Sequence, residues 1–265
     1  MKVVLFCGGL GMRLREYSDS IPKPMVPIGH HPIVWNLMKF YSHYGNNEFI
    51  LCLGHNADVI KDYFLNYNEA ITNDFVYECG KTTLLKTDID DWKITFADTG
   101  LNSNIGMRLK KVEKYLKDLG PEDIFMANYA DGLSDVPLDK MLDFFKSSGK
   151  TAAFICVKPE QSFHYVRLND EGSVLSIQDT SNIGLTVNGG FFIFKKKIYN
   201  YIRDGEELVH EPFERLIAEN ELVAYQYDGF WKCMDTFKDK QNFDDMHAKG
   251  DCPWQIWLDN NQRDR

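Results

Sequence analysis

The chain has 265 residues, of which 44 % are hydrophobic and 26 % charged, a composition that is typical of a folded globular protein and excludes a disordered one. Its 39 acidic and 30 basic side chains give a net charge of −9, so we expect no nucleic acid partner. A phosphate bound by such an acidic chain must be contacted by a few specifically placed cationic side chains. No apolar run approaches the roughly 18 residues of a membrane span, no signal peptide is evident, and the six dispersed cysteines lack a C-x-x-C pair. These features favour a cytoplasmic protein with reduced thiols and no membrane association.

The first half of the sequence alternates predicted strands and helices. Apolar, β-branched runs predict strands at Lys2–Cys7 and Glu48–Leu53, and apolar residues at helical spacing predict helices at Pro32–Tyr44 and Asp58–Tyr67. This alternation is typical of right-handed β-α-β units in a parallel sheet. Between residues 75 and 98 the pattern changes to short alternating runs, which predict an antiparallel β insertion.

The second half continues with further strands and helices. Helices are predicted at Met107–Leu119, Leu138–Ser148, Glu211–Asn220 and Thr236–Lys249. Strands are predicted at Ile124–Tyr129, Thr151–Val157, Val187–Phe194 and Leu222–Asp228, with a hairpin over Tyr165–Leu168 and Val174–Gln178. No repeat or linker interrupts the pattern. We therefore expect one α/β domain over residues 1–265, with the β insertion near 75–98 and a C-terminal helical segment near 236–265.

The loop after the first strand is the first candidate ligand site, because ligands of open parallel sheets bind beyond the carboxyl ends of the strands. It comprises Gly8 to Leu14, and its glycines let backbone N–H groups approach a phosphate that Arg13 can also contact. Leu14 stands where a dinucleotide fingerprint needs its third glycine, and neither Gly80-Lys81-Thr82 nor Gly149-Lys150-Thr151 has the first glycine of a P-loop. A tight structural turn remains the alternative.

Lys23 is the second candidate, in the segment Pro22-Lys23-Pro24-Met25-Val26-Pro27. Flanking prolines restrict the backbone and hold the lysine in one direction. A lysine fixed near a phosphate loop can act as a point charge on a phosphoryl group. The alternative is an ordinary surface lysine in a proline-rich loop.

Two aspartates follow predicted strands or strand-like segments in distant parts of the chain. Asp131 comes just after the strand that ends at Tyr129, and Asp235 follows an aromatic segment. Two such carboxylates can share one Mg²⁺, which prefers carboxylate oxygens, waters and substrate phosphate. The alternatives are a turn at Asp131-Gly132 and a helix cap at Asp235.

In this order and spacing, the segments resemble those of the sugar-phosphate nucleotidyltransferases, and more narrowly the glucose-1-phosphate cytidylyltransferases. The similarity runs almost from end to end. The matching segments are Gly8–Leu14, Pro22–Val26, Tyr41–Gly45, Asp98–Gly100, Asp131–Asp135, Asn188–Phe192, Gly229–Thr236 and Pro253–Trp254.

The resemblance implies a Rossmann-like mixed, mostly parallel sheet flanked by helices with a small antiparallel β appendage, Mg²⁺ as cofactor, and a homo-oligomer. It implies that CMP passes from CTP to the phosphate of a small acceptor, with release of pyrophosphate. The implied nucleotide-binding residues are Gly8, Gly9, Leu10, Gly11, Met12, Arg13, Arg108 and Ala130. The implied metal ligands are Asp131 and Asp235, the implied catalytic residues are Arg13, Lys23 and Asp131, and the implied substrate residues are Lys23, Asn188, Gly189 and Gly190.

The sequence departs from the family pattern mainly on the acceptor side. Met12 stands where the family has a threonine, Gly106-Met107 where it has two glycines, and His164-Tyr165 where it has Phe-Gly. The family's Glu-Lys-Pro segment supplies a lysine to the sugar phosphate, but residues 177–182 contain no lysine. Because an anion that loses its partner is destabilised, we expect a non-hexose acceptor such as L-glutamine phosphate. The alternatives are glucose 1-phosphate, which gives CDP-glucose, and a non-catalytic nucleotide-binding regulatory relative.

Overall fold

A computed structural model describes residues 1–9, 21–159, 164–179 and 184–258. The strands are β1 (Lys2–Phe6), β2 (Pro27–Ile28), β3 (His31–Pro32), β4 (Glu48–Leu53), β5 (Phe75–Glu78), β6 (Lys81–Leu84), β7 (Lys93–Asp98), β8 (Ile124–Tyr129), β9 (Gly132–Ser134), β10 (Ala152–Val157), β11 (His164–Leu168), β12 (Val174–Asp179), β13 (Val187–Asn188), β14 (Phe192–Lys195), β15 (Leu222–Tyr227) and β16 (Trp231–Cys233). The helices are α1 (Ile33–His43), α2 (Ala57–Leu65), α3 (Ile105–Val112), α4 (Leu138–Ser148), α5 (Glu211–Ala218) and α6 (Phe237–Ala248). Short 3₁₀ helices cover Lys23–Met25, Glu69–Ile71, Glu113–Leu116 and Lys196–Tyr201.

An eight-stranded mixed sheet forms the centre of the fold. Strands β7, β4, β1 and β8 lie side by side and run parallel. Strand β14 follows β8 antiparallel, β10 pairs with β13 and β14 on one side, and β15 pairs parallel with β10 on the other. The predicted α/β class with a mostly parallel sheet is thus confirmed. The sheet is mixed because β13 and β14 run antiparallel to their neighbouring strands.

Alternate side chains of β1 enter two hydrophobic cores, one on each face of the sheet. Val3 and Leu5 belong to one core, which also receives apolar side chains of α1, α2, α4 and α6. Val4 and Phe6 belong to the other, which α3 and α5 cover. Because both faces are covered, the central strands are continuous apolar runs rather than alternating ones.

One prediction about the β insertion is wrong. Lys93–Asp98 does not belong to an antiparallel unit but forms β7, which pairs parallel with β4 at the edge of the central sheet. Only β5 and β6 form the antiparallel hairpin. An edge strand is only partly covered, so its sequence alternates as an antiparallel strand does, and the alternation alone does not encode strand direction.

The C-terminal segment is helical only in part. Helix α6 ends at Ala248, and turns and irregular backbone follow to residue 258, while residues 259–265 lie outside the described part of the chain. The single domain over 1–265 stays a prediction. Within the described residues, no helix combines the length and apolar character that a membrane crossing requires.

Candidate active site

The carboxyl ends of β1 and β8 bring the two predicted ligand-binding segments side by side. The two strands are parallel neighbours, and their register pairs Phe6 with Tyr129. Gly8 and Asp131 each come two residues after these strand ends. The first glycines of the loop and the first aspartate therefore begin at the same edge of the sheet, where ligands of such folds bind.

Lys23 is held by the buried residues that follow it. It begins a 3₁₀ helix, preceded by the extended Pro22 and followed by Pro24 and Met25, both of which are buried. The backbone N–H of Val26 donates to the Lys23 carbonyl at 3.1 Å, which closes this turn. Because both prolines fix φ, the lysine leaves the turn in a defined direction. The sequence prediction of a directed lysine is in accord with this geometry.

A short antiparallel ladder brings Asp131 next to Asp235, although 104 positions separate them in sequence. Strand β9 pairs with β16, with Gly132 opposite Cys233, and the Met234 N–H donates to the Asp131 carbonyl at 2.8 Å. Immediately after Asp235, Thr236 forms a capping box with Asp239 at the start of α6. The ladder and the cap fix the backbone on both sides of Asp235.

The Lys23 ammonium lies between the two carboxylates. Its Nζ donates to Asp131 Oδ2 at 2.6 Å and to Asp235 Oδ1 at 2.5 Å, so these two oxygens are at most about 5 Å apart. Burial lowers the pKa of Lys23, but the two carboxylates raise it by more, and the net pKa lies above the ordinary value. Lys23 is therefore a cation at neutral pH. The side chains remain 15 % (Lys23), 29 % (Asp131) and 36 % (Asp235) exposed, so a ligand can reach them.

The two carboxylates fit a magnesium ion in the chemistry of their donors. They supply hard oxygen ligands that already converge on one cation, and Mg²⁺ binds through one or two carboxylates plus waters and substrate phosphates. Among the described residues, no group of three or more His, Cys, Asp or Glu side chains could hold a metal ion. Waters and substrate phosphates would complete the coordination of an ion here, and the ligand pair Asp131 and Asp235 stays a prediction.

A cavity of about 350 Å³ opens beside the carboxylates. Its lining combines these two acids with amide, aromatic and thiol groups: Asn128, Tyr129, Asp131, Gly132, Asn188, Gly189, Trp231, Cys233 and Asp235. The indole N–H of Trp231 donates to the Gly189 carbonyl at 2.8 Å, which joins the two walls of the cavity. A pocket with a few convergent polar groups next to a charged cluster is the expected form of a small-molecule site.

The predicted substrate segment Asn188-Gly189-Gly190 forms one wall of this cavity, and its glycines have structural roles as well. Gly190 has φ of +75°, and a Cβ there would lie 2.5 Å from Asn128 Oδ1. Buried Asn128 also accepts the Phe191 N–H at 2.9 Å and donates to the Tyr41 hydroxyl at 3.2 Å. Only a glycine fits beneath this amide. Contact of the segment with substrate stays a prediction.

Sequence reasoning missed Cys233 as a part of the site. Its thiol donates to Asp235 Oδ2 at 3.6 Å and faces the cavity. Burial, followed by the charges of Asp235 and Asp131, raises the pKa of Cys233 to about 12. The thiol is therefore neutral at physiological pH. The signal in the sequence was its place two residues before Asp235.

The remaining predicted nucleotide-binding residues have different outcomes. Gly8 is buried and Gly9 is exposed, whereas Leu10, Gly11, Met12 and Arg13 lie outside the described residues. Ala130 is 2 % exposed and packs in the core. Arg108 is also 2 % exposed, and its terminal nitrogens contact backbone carbonyls and Thr99. These contacts differ from the predicted grip on the nucleotide, which no observation tests.

The fold and the charged cluster together define an α/β protein with a ligand crevice at the carboxyl edge of its sheet. Solved structures share this fold: UDP-glucose pyrophosphorylase bound to UDP-glucose (TM-score 0.68, 13 % identity, 94 % of this chain and 98 % of that one) and the UTP-bound UGPase of Acinetobacter baumannii (TM-score 0.67, 17 % identity, 95 % and 94 %). The family model described as nucleotidyl transferase matches residues 2–259, so the chain belongs to the nucleotidyl transferase family and is a nucleotidyltransferase. A curated relative, the glucose-1-phosphate cytidylyltransferase of Salmonella typhimurium, is 36 % identical over 260 residues, which are 97 % of this chain and 100 % of the relative.

Proposed function

We propose that the protein transfers CMP from CTP to the phosphate of a small phosphorylated metabolite, releasing pyrophosphate and forming a CDP-linked product. The observation that carries this proposal is the ammonium of Lys23 between Asp131 and Asp235, at the sheet edge where the glycine loop begins. The choice of CTP is supported by the full-length similarity to a cytidylyltransferase.

The exposed Gly9 supports phosphate binding at the start of the loop. A Cβ added to Gly9 would meet no described atom within 4 Å, and its φ is not in the left-handed region. Within the described part of the chain, the fold therefore does not require a glycine at this position. A glycine at this position leaves the backbone N–H open to the close approach of a ligand phosphate.

The reaction needs attack by an acceptor phosphate oxygen on the α-phosphorus of CTP, while the bond from that phosphorus to the bridging oxygen of the β-phosphate breaks. Both reactants are anions, so a fixed cation at the point where they meet lowers the barrier by offsetting their charge. Lys23 supplies such a cation, since its carboxylate partners keep it protonated. Mg²⁺ held by Asp131 and Asp235 would neutralise charge on the phosphates and on the leaving pyrophosphate.

For the acceptor, we propose a phosphorylated metabolite other than a hexose, such as L-glutamine phosphate. Residues 177–182 lack the lysine that the family pattern offers to the sugar phosphate. The similarity to a glucose-1-phosphate cytidylyltransferase favours the second candidate, glucose 1-phosphate with CDP-glucose as product.

The homo-oligomer also stays a prediction. The exposed apolar pairs Val166–Ile177 and Leu168–Val174 of the β11–β12 hairpin support it.

We expect the protein to release pyrophosphate from CTP when Mg²⁺ and a suitable acceptor are present. It should release less pyrophosphate from UTP or dTTP under the same conditions. The acceptors are glucose 1-phosphate, amino-acid phosphates and polyol phosphates, and the readout is pyrophosphate release with mass detection of the product. Turnover of glucose 1-phosphate above all others would refute the non-hexose acceptor. Equal use of the three nucleotides would refute CTP as the donor. If no acceptor leads to pyrophosphate release, the result would favour the non-catalytic regulatory relative.

A further inference from the structure

A second cavity, of about 280 Å³, opens along the side of helix α3 that faces away from the core. Five of its six lining residues are lysines, and the sixth is a glutamate: Lys110, Lys111, Glu113, Lys114, Lys117 and Lys196. This lysine cavity is strongly positive on a chain whose net charge is −9. A concave surface lined by one sign of charge raises the local concentration of ions of the opposite sign.

The lysine cavity extends towards the amino edge of the parallel strands, whereas the candidate active site lies at their carboxyl edge. Near the cavity, the Lys2 Nζ at the start of β1 donates to the Tyr115 carbonyl at 2.9 Å. The backbone N–H of Lys196 donates at 2.8 Å to the carbonyl of Asp123, just before β8 begins. The cavity beside Asp131 shares no lining residue with the lysine cavity. The two cavities are therefore separate places on the molecule.

The carboxylates near the lysine cavity leave most of its charge unpaired. Asp118 lies 2.5 Å from the Lys2 Nζ, and Asp204 lies 2.6 Å from the Lys110 Nζ. In the described part of the chain, the other four lysines of the cavity form no ion pair. Glu113 is the single carboxylate in the lining. An anion that enters the cavity would therefore meet several ammonium groups that lack an anionic partner.

Two of these unpaired lysines are held in place by neutral oxygens. Lys111 Nζ donates to the Thr99 carbonyl and to Ser103 Oγ, both at 2.8 Å. Lys196 Nζ donates to the Leu119 carbonyl at 2.6 Å. Such acceptors restrict the side chains but do not cancel their charge. Less side-chain entropy is then lost when a ligand binds.

The dipole of α3 accounts for only part of this cluster. Lys110 and Lys111 lie in the last turn of α3, where cations offset the partial negative charge of the helix carboxyl end. That partial charge is about half an elementary charge. Lys114 and Lys117 lie beyond α3, and Lys196 comes from a different segment of the chain. Three further ammonium groups are thus available to another anion.

We propose that the lysine cavity binds a small anion that carries more than one phosphate and no nucleobase, such as inorganic pyrophosphate. Lysine binds phosphate as a point charge, and several lysines suit a ligand with several negative charges. The lining contains no aromatic, amide or hydroxyl side chain that could contact a base. Pyrophosphate is also the leaving group of the proposed reaction, but the binding proposal stands on the cavity alone.

Calorimetric titration with inorganic pyrophosphate tests the proposal, in EDTA so that no metal bridges the ligand to the carboxylates of the candidate active site. The double variant Lys114→Met/Lys117→Met removes two ammonium groups and keeps most of their aliphatic stems. Glu113→Gln removes the carboxylate of the lining. Lys146→Met is the matched control, because Lys146 is an exposed lysine in the last turn of α4 and lies outside the cavity. Thermal unfolding reports whether each variant is folded.

We expect the wild type to bind pyrophosphate with a Kd below about 1 mM, and inorganic phosphate at least about threefold more weakly. The double variant should bind pyrophosphate at least about tenfold more weakly, because two of the charges that attract it are gone. Glu113→Gln should bind it at least about twofold more tightly, because a repelling charge is gone. A purely structural role of these side chains would not give opposite signs. Lys146→Met should match the wild type.

The proposal is overturned if the wild type shows no binding below about 1 mM, if the folded double variant binds pyrophosphate as the wild type does, or if Glu113→Gln weakens binding. Equal weakening by Lys146→Met would also overturn it, because the field of the whole protein would then attract the anion. If the double variant does not fold, Glu113→Gln decides alone.

A lipid headgroup could supply the same phosphate chemistry, so vesicles that contain phosphatidylglycerol form the last arm of the test. Binding of these vesicles without binding of free pyrophosphate would overturn the small-anion ligand in favour of a lipid surface. None of these outcomes depends on CTP or on an acceptor. Failure of the proposed transfer reaction would therefore leave this test intact.

Discussion

Asp131→Asn should reduce kcat by about 10³-fold or more while the protein stays folded. The amide keeps the size of the side chain but removes the negative charge that would bind Mg²⁺, and a bound metal contributes several kcal/mol to the stabilisation of the transition state. The fold should persist because the Asp131 backbone carbonyl, which accepts the Met234 N–H, is unchanged, and Lys23 retains Asp235. Initial rates of pyrophosphate release at saturating substrates measure the effect.

Asp139→Asn is the matched control for this substitution. Asp139 is an exposed residue in the first turn of α4, eight positions further along the chain, and the same change there should leave kcat within about twofold of the wild type. Circular dichroism and thermal unfolding report whether each variant is folded. Retention of more than about a tenth of the wild-type kcat by folded Asp131→Asn would remove this residue from the metal site.

Lys23→Met should reduce kcat/KM by about 10²- to 10³-fold, the usual effect of removing one charged donor from a preorganised site. The methionine keeps most of the aliphatic stem but leaves the carboxylates of Asp131 and Asp235 without the cation that lies between them. Their mutual repulsion then has to be offset by another cation. Added Mg²⁺ should therefore raise the melting temperature of Lys23→Met more than that of the wild type, in which the ion competes with the ammonium.

Lys140→Met provides the comparison, because Lys140 is exposed on α4 and lies outside the cavity. It should match the wild type in kcat/KM and in its response to Mg²⁺. Near-normal kcat/KM in folded Lys23→Met would contradict the catalytic role of Lys23. An equal shift by Mg²⁺ of the melting temperatures of Lys23→Met and the wild type would contradict the competition between the ion and the ammonium.

The sequence predicted most of the sheet because a buried parallel strand has a local signature. Lys2–Phe6, Glu48–Leu53 and Ile124–Tyr129 are continuous apolar runs, and each forms a strand as expected. The direction of β7 was predicted wrongly, because the pairing of Lys93–Asp98 with β4 depends on residues 45 positions away. Local periodicity carries no information about such a partner.

The candidate site was predictable in its residue types but not in its geometry. Glycines at a strand end, a lysine between prolines and an aspartate after a strand each have a chemical reason to be noticed. That Lys23 contacts both Asp131 and Asp235 depends on the β9–β16 ladder, whose short strands have weak signals. The resemblance implied that Arg108 binds the nucleotide; its buried guanidinium contacts carbonyl oxygens, and its role towards a nucleotide stays a prediction.

The most direct test of the charged cluster is a crystal structure of the wild-type protein with CTP and Mn²⁺, which has an anomalous signal that Mg²⁺ lacks. We expect an anomalous peak within coordination distance of both Asp131 and Asp235, with the triphosphate lying across Gly8 and Gly9. A triphosphate bound elsewhere, or a metal that contacts neither carboxylate, would contradict the assignment of this cluster as the catalytic centre.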